Sequence, residues 1–378
     1  MSLETNHETE NENDGLADYL DNIQEQNSFD LKKIDIPILK DKKIKYIYQL
    51  KNDFFIIAQE KQIYIVNLKN ISLCYNFHIN HLITCICQIN EKQVIFCQNN
   101  GLYILAFSNY EVHIDKISDI KYNLILKVTN NDKNNDYIIS LPHKGTFRVT
   151  EYLSSINEND LNHNNKISNK EYNIGEIIEI NNYKFAVLIN NKEDEDTGIL
   201  EIIDINNIQR YYILNKSNYL YIPSNNCILS FKTKKDKNNH IFLCATKKQN
   251  KNGILAINIG LPLNKSTFEC FKDIKNLKIT CMSLFKKENT EEEQFFTYFL
   301  IGGINYRSEV EIRLFKIIDL NDQGNNCLSI DFIKTVFYDN EIMTSINWMY
   351  QSIKGKEFLI ASNNCIYQLN KQNEEEEI

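Results

Sequence analysis

Short runs of apolar residues, most of them alternating with polar ones, recur along almost the whole chain, and polar turns separate them. Alternation with a period of two predicts strands that bury one face. The runs are rich in Ile, Val, Tyr, Phe and Thr, which pack well on a pleated surface. Asn, Asp, Lys and Gly bound them. Helical spacing is nearly absent after residue 28. Before it lies one weakly amphipathic piece, "LADYLDNIQ" (16–24), expected to be a short partner-binding helix in a disordered tail.

Self-comparison turns this strand pattern into a repeat. "IKYIYQLKNDFFIIAQEKQIYIVNL" (44–68), "ITCICQINEKQVIFCQNNGLYILAF" (83–107) and "MTSINWMYQSIKGKEFLIASNNCIYQL" (343–369) align as strand, polar turn, strongly apolar strand, short turn and strand. A fourth strand follows the first two, "ISLCYNF" (71–77) and "YEVHI" (110–114). Looser copies begin at "YNLILKV" (122–128), "IGEIIEI" (174–180), "CILSFK" (227–232) and "ITCMSLF" (279–285). Seven units therefore start near 44, 83, 122, 174, 227, 279 and 343. Four strands per unit, at a period of roughly 40 residues lengthened by insertions, predict an all-β, seven-bladed β-propeller. Stacked sandwiches need Greek-key crossovers and larger separate cores. Layered α/β folds need helices that this pattern does not supply.

The seventh unit stops after three strands. Upstream of the first unit lies an orphan, "LKKIDIPIL" (31–39), with Ile34, Ile36 and Ile38 on one face. It is expected to pair with the third strand of the last unit and close the ring, removing the open seam between the end blades. Pro37 suits an outermost strand, because proline cannot donate to a ladder and belongs on an edge. The chain then divides into an acidic, disordered tail over 1–28, a propeller over 29–370 and an acidic tail over 371–378.

In repeat length, strand count and end closure, residues 31–370 resemble the WD-repeat type of seven-bladed propeller. The signature residues differ. No Gly-His pair precedes a first strand, no Trp-Asp pair ends a third, and the single tryptophan, Trp348, lies inside a first strand. Third strands end instead in "NLKN", "AFSN", "DINN" and "QLNK". The family's Asp–His–Ser/Thr–Trp network is therefore assigned to no residue. The resemblance implies a divergent WD-like propeller acting as a non-catalytic scaffold, presenting its faces and loops to partner proteins in a multiprotein complex.

Composition narrows the partners. The net charge is −8, and no basic face of the kind that grips phosphate backbones stands out, so nucleic acid is not an expected partner. "FKTKKDKNNH" (231–240) is short and reads as a loop. The start, "MSLETNHETENENDG", is polar and acidic with no apolar segment, and no run of about 18 apolar residues exists for a membrane span. Most of the 10 cysteines, among them Cys85, Cys87, Cys97, Cys244, Cys281 and Cys365, sit in apolar strand-like runs. Buried reduced thiols in a cytoplasmic or nuclear protein, a monomeric ring without a cofactor, are the expectation.

Two stretches suggest metal chemistry. "DLNHNNKISNKE" (160–171) sets Asp160, Asn162, Asn164, Ile167 and Glu171 at positions 1, 3, 5, 8 and 12 of an EF-hand-type calcium loop, with Ser168 at position 9. Asn165 stands where that loop has glycine, and neither flank reads as a helix. A polar insertion between the third and fourth strands of the third blade is the preferred reading. "CYNFHINHLITCIC" offers Cys74, His78, His81, Cys85 and Cys87, residue types that suit zinc. Cys74 and Cys85 fall on outer and inner strands of different blades, too far apart for one tetrahedral site.

Catalysis finds less support. There is no G-x-S-x-G elbow and no glycine-rich phosphate loop. Paired carboxylates occur only in the runs 191–198 and 289–294, which read as solvated loops. The alternative activity is a lactonase-like hydrolase using the central channel, lined by Tyr46, Thr84, Glu176, Thr280 and Ser345, a set short of acids. A phosphoinositide-binding propeller would need paired arginines in a late blade, and Arg307 and Arg313 are isolated. The longest insertions, 130–136, 153–169, 233–239, 286–294 and 319–327, are expected on one face. On the other lie the acidic loop 191–198 and the basic loop 247–253.

Overall fold

A computed structural model of the chain describes residues 29–34, 43–50 and, between 54 and 371, the strands with the tight turns that join them. Between 123 and 240, side chains are described at Ile125, Lys127, Ile138 and Leu229. Among the described residues every regular element is a strand. Four sheets are simple four-stranded meanders, spanning 46–78, 83–118, 122–166 and 277–339. A fifth has three strands from 348–371 and one, Phe29–Ile34, from the start of the chain. The sixth, over 173–273, has nine strands.

The second strands carry the fold, and their alternation serves two cores at once. In Phe54–Ala58, Phe55 and Ile57 join Tyr64, Val66, Trp348 and Ile366. The alternate residues, Ile56 and Ala58, face the other way and pack with Ile83, Val94 and Phe96 of the next sheet. Gln93–Gln98 divides likewise: Val94 and Phe96 face back, while Ile95 and Cys97 face forward to Tyr122 and Ile138. Further on, Phe299 and Ile301 pack toward Leu243 and Ala245, whereas Leu300 packs toward Phe358 and Ile360. Successive side chains of a strand point to opposite faces, so a strand covered on both sides reads as continuously apolar. Each such residue contributes about 1.5–3 kcal/mol on burial. The first strands run side by side in order: Ile83–Asn90 beside Tyr122–Asn130, then Asn173–Asn181, Ile228–Lys232, Leu277–Phe285 and Trp348–Gln351.

The first and last described strands meet. Phe29–Ile34 pairs antiparallel with Ile366–Lys371, with Lys33 opposite Tyr367 and Ile34 opposite Ile366. Ile34 is buried in the cluster that contains Ile47, Trp348 and Ile366. The Tyr350 hydroxyl donates to the Ile47 carbonyl at 3.0 Å, and its ring meets Phe55 edge-on at 5.9 Å. The strand begins at Phe29, ahead of the expected Leu31, and Ile36, Pro37 and Ile38 lie outside the described residues.

Two features depart from the sequence pattern. Tyr219–Tyr221 and Ile228–Lys232 both pair with Asn239–Lys248, so one first strand is broken in two. In the sequence Pro223 and the turn formers Asn225 and Asn226 lie between the two strands. Tyr219 also bridges Thr197 in parallel, which joins two expected units into the nine-stranded sheet. The stretch 319–327, expected as a loop, instead prolongs a hairpin: Asp319–Asp322 pairs with Asn325–Leu328. Leu320 opposite Cys327 continues the ladder there.

Candidate functional site

The calcium-loop residues Asp160, Asn162, Asn164 and Glu171 lie outside the described residues. Asn165 belongs to the short strand Asn165–Lys166 and pairs with Val149. An extended residue there does not supply the sharp turn that an EF-hand loop makes at its sixth position. Of the proposed zinc residues, Cys74 lies on the outer strand Ser72–His78, and Cys85 and Cys87 lie on the first strand of the next sheet. The His78 ring instead meets the Lys61 carbonyl, with Nδ1 at 2.7 Å.

The first-strand hydroxyls act as ties between sheets. Thr84 and Thr280 both sit at a β-bulge, after Ile and before Cys in each case. The Thr84 hydroxyl donates to the Tyr122 carbonyl at 2.8 Å, and that of Thr280 donates to the Ile346 carbonyl. Each donor reaches the first-strand region of the following sheet. The bulge re-aims a side chain that would otherwise alternate with its neighbours. Ser345 is buried, and the side chains of Tyr46 and Glu176 are outside the described set. The repeated Ile-Thr-Cys at 83–85 and 279–281 is the sequence signal for this tie.

Three thiols gather at the joint between the 83–118 and 122–166 sheets. Cys85 and Cys97 are directly cross-strand, and Cys87 lies on the same face as Cys85. The Tyr122 amide donates to Cys97 Sγ at 2.9 Å, and the Lys127 amide donates to Cys87 Sγ at 3.1 Å. The Cys85 thiol, hydrogen-bonded to Cys97 Sγ, draws the Cys97 thiol from 9.0 down to about 7, against its own burial and with help from the Tyr122 amide. Burial pushes Cys85 up. Both thiols are fully enclosed, so this cluster is packing rather than an accessible site.

The surface offers a concavity between the 173–273 and 277–339 sheets. Three pieces of chain build it: the hairpin end at Lys251 and Asn252, the connection 273–278, and the hairpin end 304–306. It encloses about 530 Å³. Among its described residues the cations are Lys251, Lys275 and Lys278 and the acid is Asp273, which is 3.8 Å from Lys251. A buried ion pair fixes the Lys275 backbone. Arg313 Nε and Nη2 donate to Glu311 at 2.6 and 3.2 Å, and Nη1 donates to the Lys275 carbonyl at 2.9 Å. The Ile274 amide donates to the Asn252 carbonyl at 2.9 Å, and Asn252 Nδ2 donates to the Leu277 carbonyl at 3.3 Å.

The rim is equally fixed. Asn305 Oδ1 accepts from the amides of Arg307 and Glu309 at 2.9 and 3.1 Å, and its Nδ2 donates to Glu309 at 2.8 Å. Desolvation pushes the Glu309 carboxyl up, but Tyr338, Asn305 and Arg307 together hold it below the usual range. The same desolvation, with Glu309 beside it, pushes Tyr338 up to about 12. Tyr306 stands 57% exposed, with the Arg307 guanidinium 5.4 Å from its ring centre. Sequence reasoning marked 247–253 as basic but passed over Lys275 and Lys278. The signal was "DIKNLK", two lysines astride the start of a first strand.

No family model matches the sequence, and no curated protein matches it. Solved structures do match its fold. The chain is similar to the Dos1 propeller at 12% identity and a TM-score of 0.53, covering 88% of this chain and 78% of that one. It is similar to Drosophila Plexin A in complex with Semaphorin 1b at 9% identity and a TM-score of 0.54, covering 92% and 88%. At such identities the likeness is one of fold, and with the four-stranded antiparallel sheets it makes this chain a β-propeller.

Proposed function

We propose that the chain is a seven-bladed propeller, closed by Phe29–Ile34, that serves as a non-catalytic scaffold for other proteins. Seven blades follow if the nine-stranded sheet is divided at its broken strand, giving units over 173–217 and 219–273 beside the five four-stranded sheets. The first-to-last strand pairing and the shared core around Trp348 support the closure. Residues 1–28 and 372–378 are acidic extensions of this ring, one residue shorter at the C-terminal side than expected because Lys371 pairs with Phe29. Within it the protein is a monomer that joins a complex in the cytoplasm or nucleus. The observation that carries the functional reading is the use of the first-strand hydroxyls. Thr84 and Thr280 spend their donors on neighbouring carbonyls, so these groups knit the sheets instead of meeting a substrate. A rigid ring pre-organises its surface and lowers the ordering cost of binding.

The test pairs metal analysis of the purified protein and a turnover screen on ester and lactone substrates with crosslinking of the full chain to its co-purifying proteins. Stoichiometric partners without turnover are expected. Stoichiometric bound metal with turnover overturns the scaffold in favour of a hydrolase.

A further inference from the structure

We propose that the cleft between the 173–273 and 277–339 sheets binds an acidic peptide, an extended partner segment rich in Asp and Glu. The proposal rests on the scaffold reading and names the class of partner that one surface takes. Charge is the first argument. Among its described residues the cleft sets three lysines against one aspartate. Asp273 is already beside Lys251, whereas Lys275 and Lys278 are exposed and have no acidic partner among the described residues. Glu309 on the rim is held by Asn305 and does not compete for them. An acidic segment thus finds local attraction in the cleft.

Shape and rigidity agree with charge. At about 530 Å³ the cleft lies within the roughly 300–1,000 Å³ typical of ligand sites, larger than a single ion needs. The Lys275 backbone is held by Arg313, itself fixed by both oxygens of Glu311. Both neighbouring hairpin ends are hydrogen-bonded to themselves or to the connection between them. The lysines are therefore presented from a fixed backbone, and only their side chains need ordering on binding. Tyr306 at one edge, backed by Arg307, offers the flat amphipathic contact that anchors peptides. The basic groups are confined to a concavity. A nucleic-acid backbone would instead require a continuous basic track.

The test is fluorescence anisotropy of a labelled octaglutamate peptide with the full chain, with octaglutamine as the uncharged control. Octaglutamate is expected to bind and octaglutamine to fail. Lys275→Glu with Lys278→Glu should weaken binding by at least about tenfold. Tyr306→Ala should also weaken it. Lys43→Glu with Lys45→Glu, exposed at the corresponding place before the first strand Tyr46–Gln49, should change it by less than about twofold. Carbodiimide crosslinking of the bound peptide should label Lys275 or Lys278, a readout that needs no variant. Equal losses in both lysine pairs, absence of octaglutamate binding, or crosslinks elsewhere overturn the proposal. So does co-sedimentation with phosphatidylserine vesicles in place of peptide binding, which assigns the cleft to a membrane surface. Failure here leaves the turnover and crosslinking result untouched, so the two readings fall separately.

Discussion

Replacing Arg313 by methionine should destabilise the protein far more than the loss of an ordinary surface ion pair. The Arg313 and Glu311 side chains are 8% and 1% exposed and lie two residues apart on one face of the strand Val310–Asp322. Glu311 also accepts from the Thr335 hydroxyl at 3.2 Å. Methionine fills most of the arginine's volume but leaves the carboxylate buried without its cation, a loss of about 3–5 kcal/mol. An exposed pair is worth about 0–1 kcal/mol. Removing both charges, in Glu311→Leu with Arg313→Met, eliminates the stranded charge. What remains is the Lys275 carbonyl and the Thr335 hydroxyl without these partners, about 1–3 kcal/mol for each group that stays buried. The double variant is therefore expected to be no worse than Arg313→Met alone, a strongly non-additive result. Urea unfolding followed by circular dichroism, with the slope checked for constancy, measures each variant. Arg313→Met within about 1 kcal/mol of wild type, or strictly additive losses, would refute the account of a desolvated, mutually dependent pair.

Three other outcomes follow from particular residues. Gly101 has φ +141°, and a Cβ there would stand 2.1 Å from the Ser118 carbonyl, so Gly101→Ala should cost at least about 1–3 kcal/mol, read as a lowered melting temperature. Removing residues 1–28 should leave the melting temperature unchanged. Removing 1–34 takes Ile34, worth about 1.5–3 kcal/mol, and the half-buried Leu31 from their cores and bares the edge of Ile366–Lys371. Equal melting temperatures for these truncations count against the end-to-end pairing. Cys97, lowered to about 7, contributes stability above the ordinary thiol value that is lost as pH falls through about 7. Cys85, raised, acts in the opposite sense above the ordinary thiol value. Wild type should therefore gain stability from about pH 7 toward the ordinary value, and Cys97→Ser should abolish that rise in urea titrations at each pH.

Strand placement was legible because burial on both faces leaves a coarse, robust mark. The expected starts at 83, 122 and 174 fall within a residue of the strands Ile83–Asn90, Tyr122–Asn130 and Asn173–Asn181. The orphan strand was legible for the same reason, since Ile34 had no partner nearby in the sequence yet read as apolar. The broken strand was missed because Tyr219–Tyr221 is three residues long, too short for alternation to register. The 319–327 hairpin was missed because its Asn and Asp residues mimic loop composition while the ladder runs on beneath them. The cleft was invisible for a different reason. Its lysines come from segments 251 and 275–278, and the arginine that steadies them lies on a later strand, so only folding brings the set together.

The meeting of Phe29–Ile34 with Ile366–Lys371 imposes an order of assembly. On the ribosome the leading strand emerges long before its mate has been translated, and its apolar residues must wait while every intervening sheet forms. The pairing is then a contact between strands far apart in the sequence, the slowest kind of contact to make. A nascent chain stalled short of Ile366 would carry two unsatisfied ends, making it a natural client for chaperones.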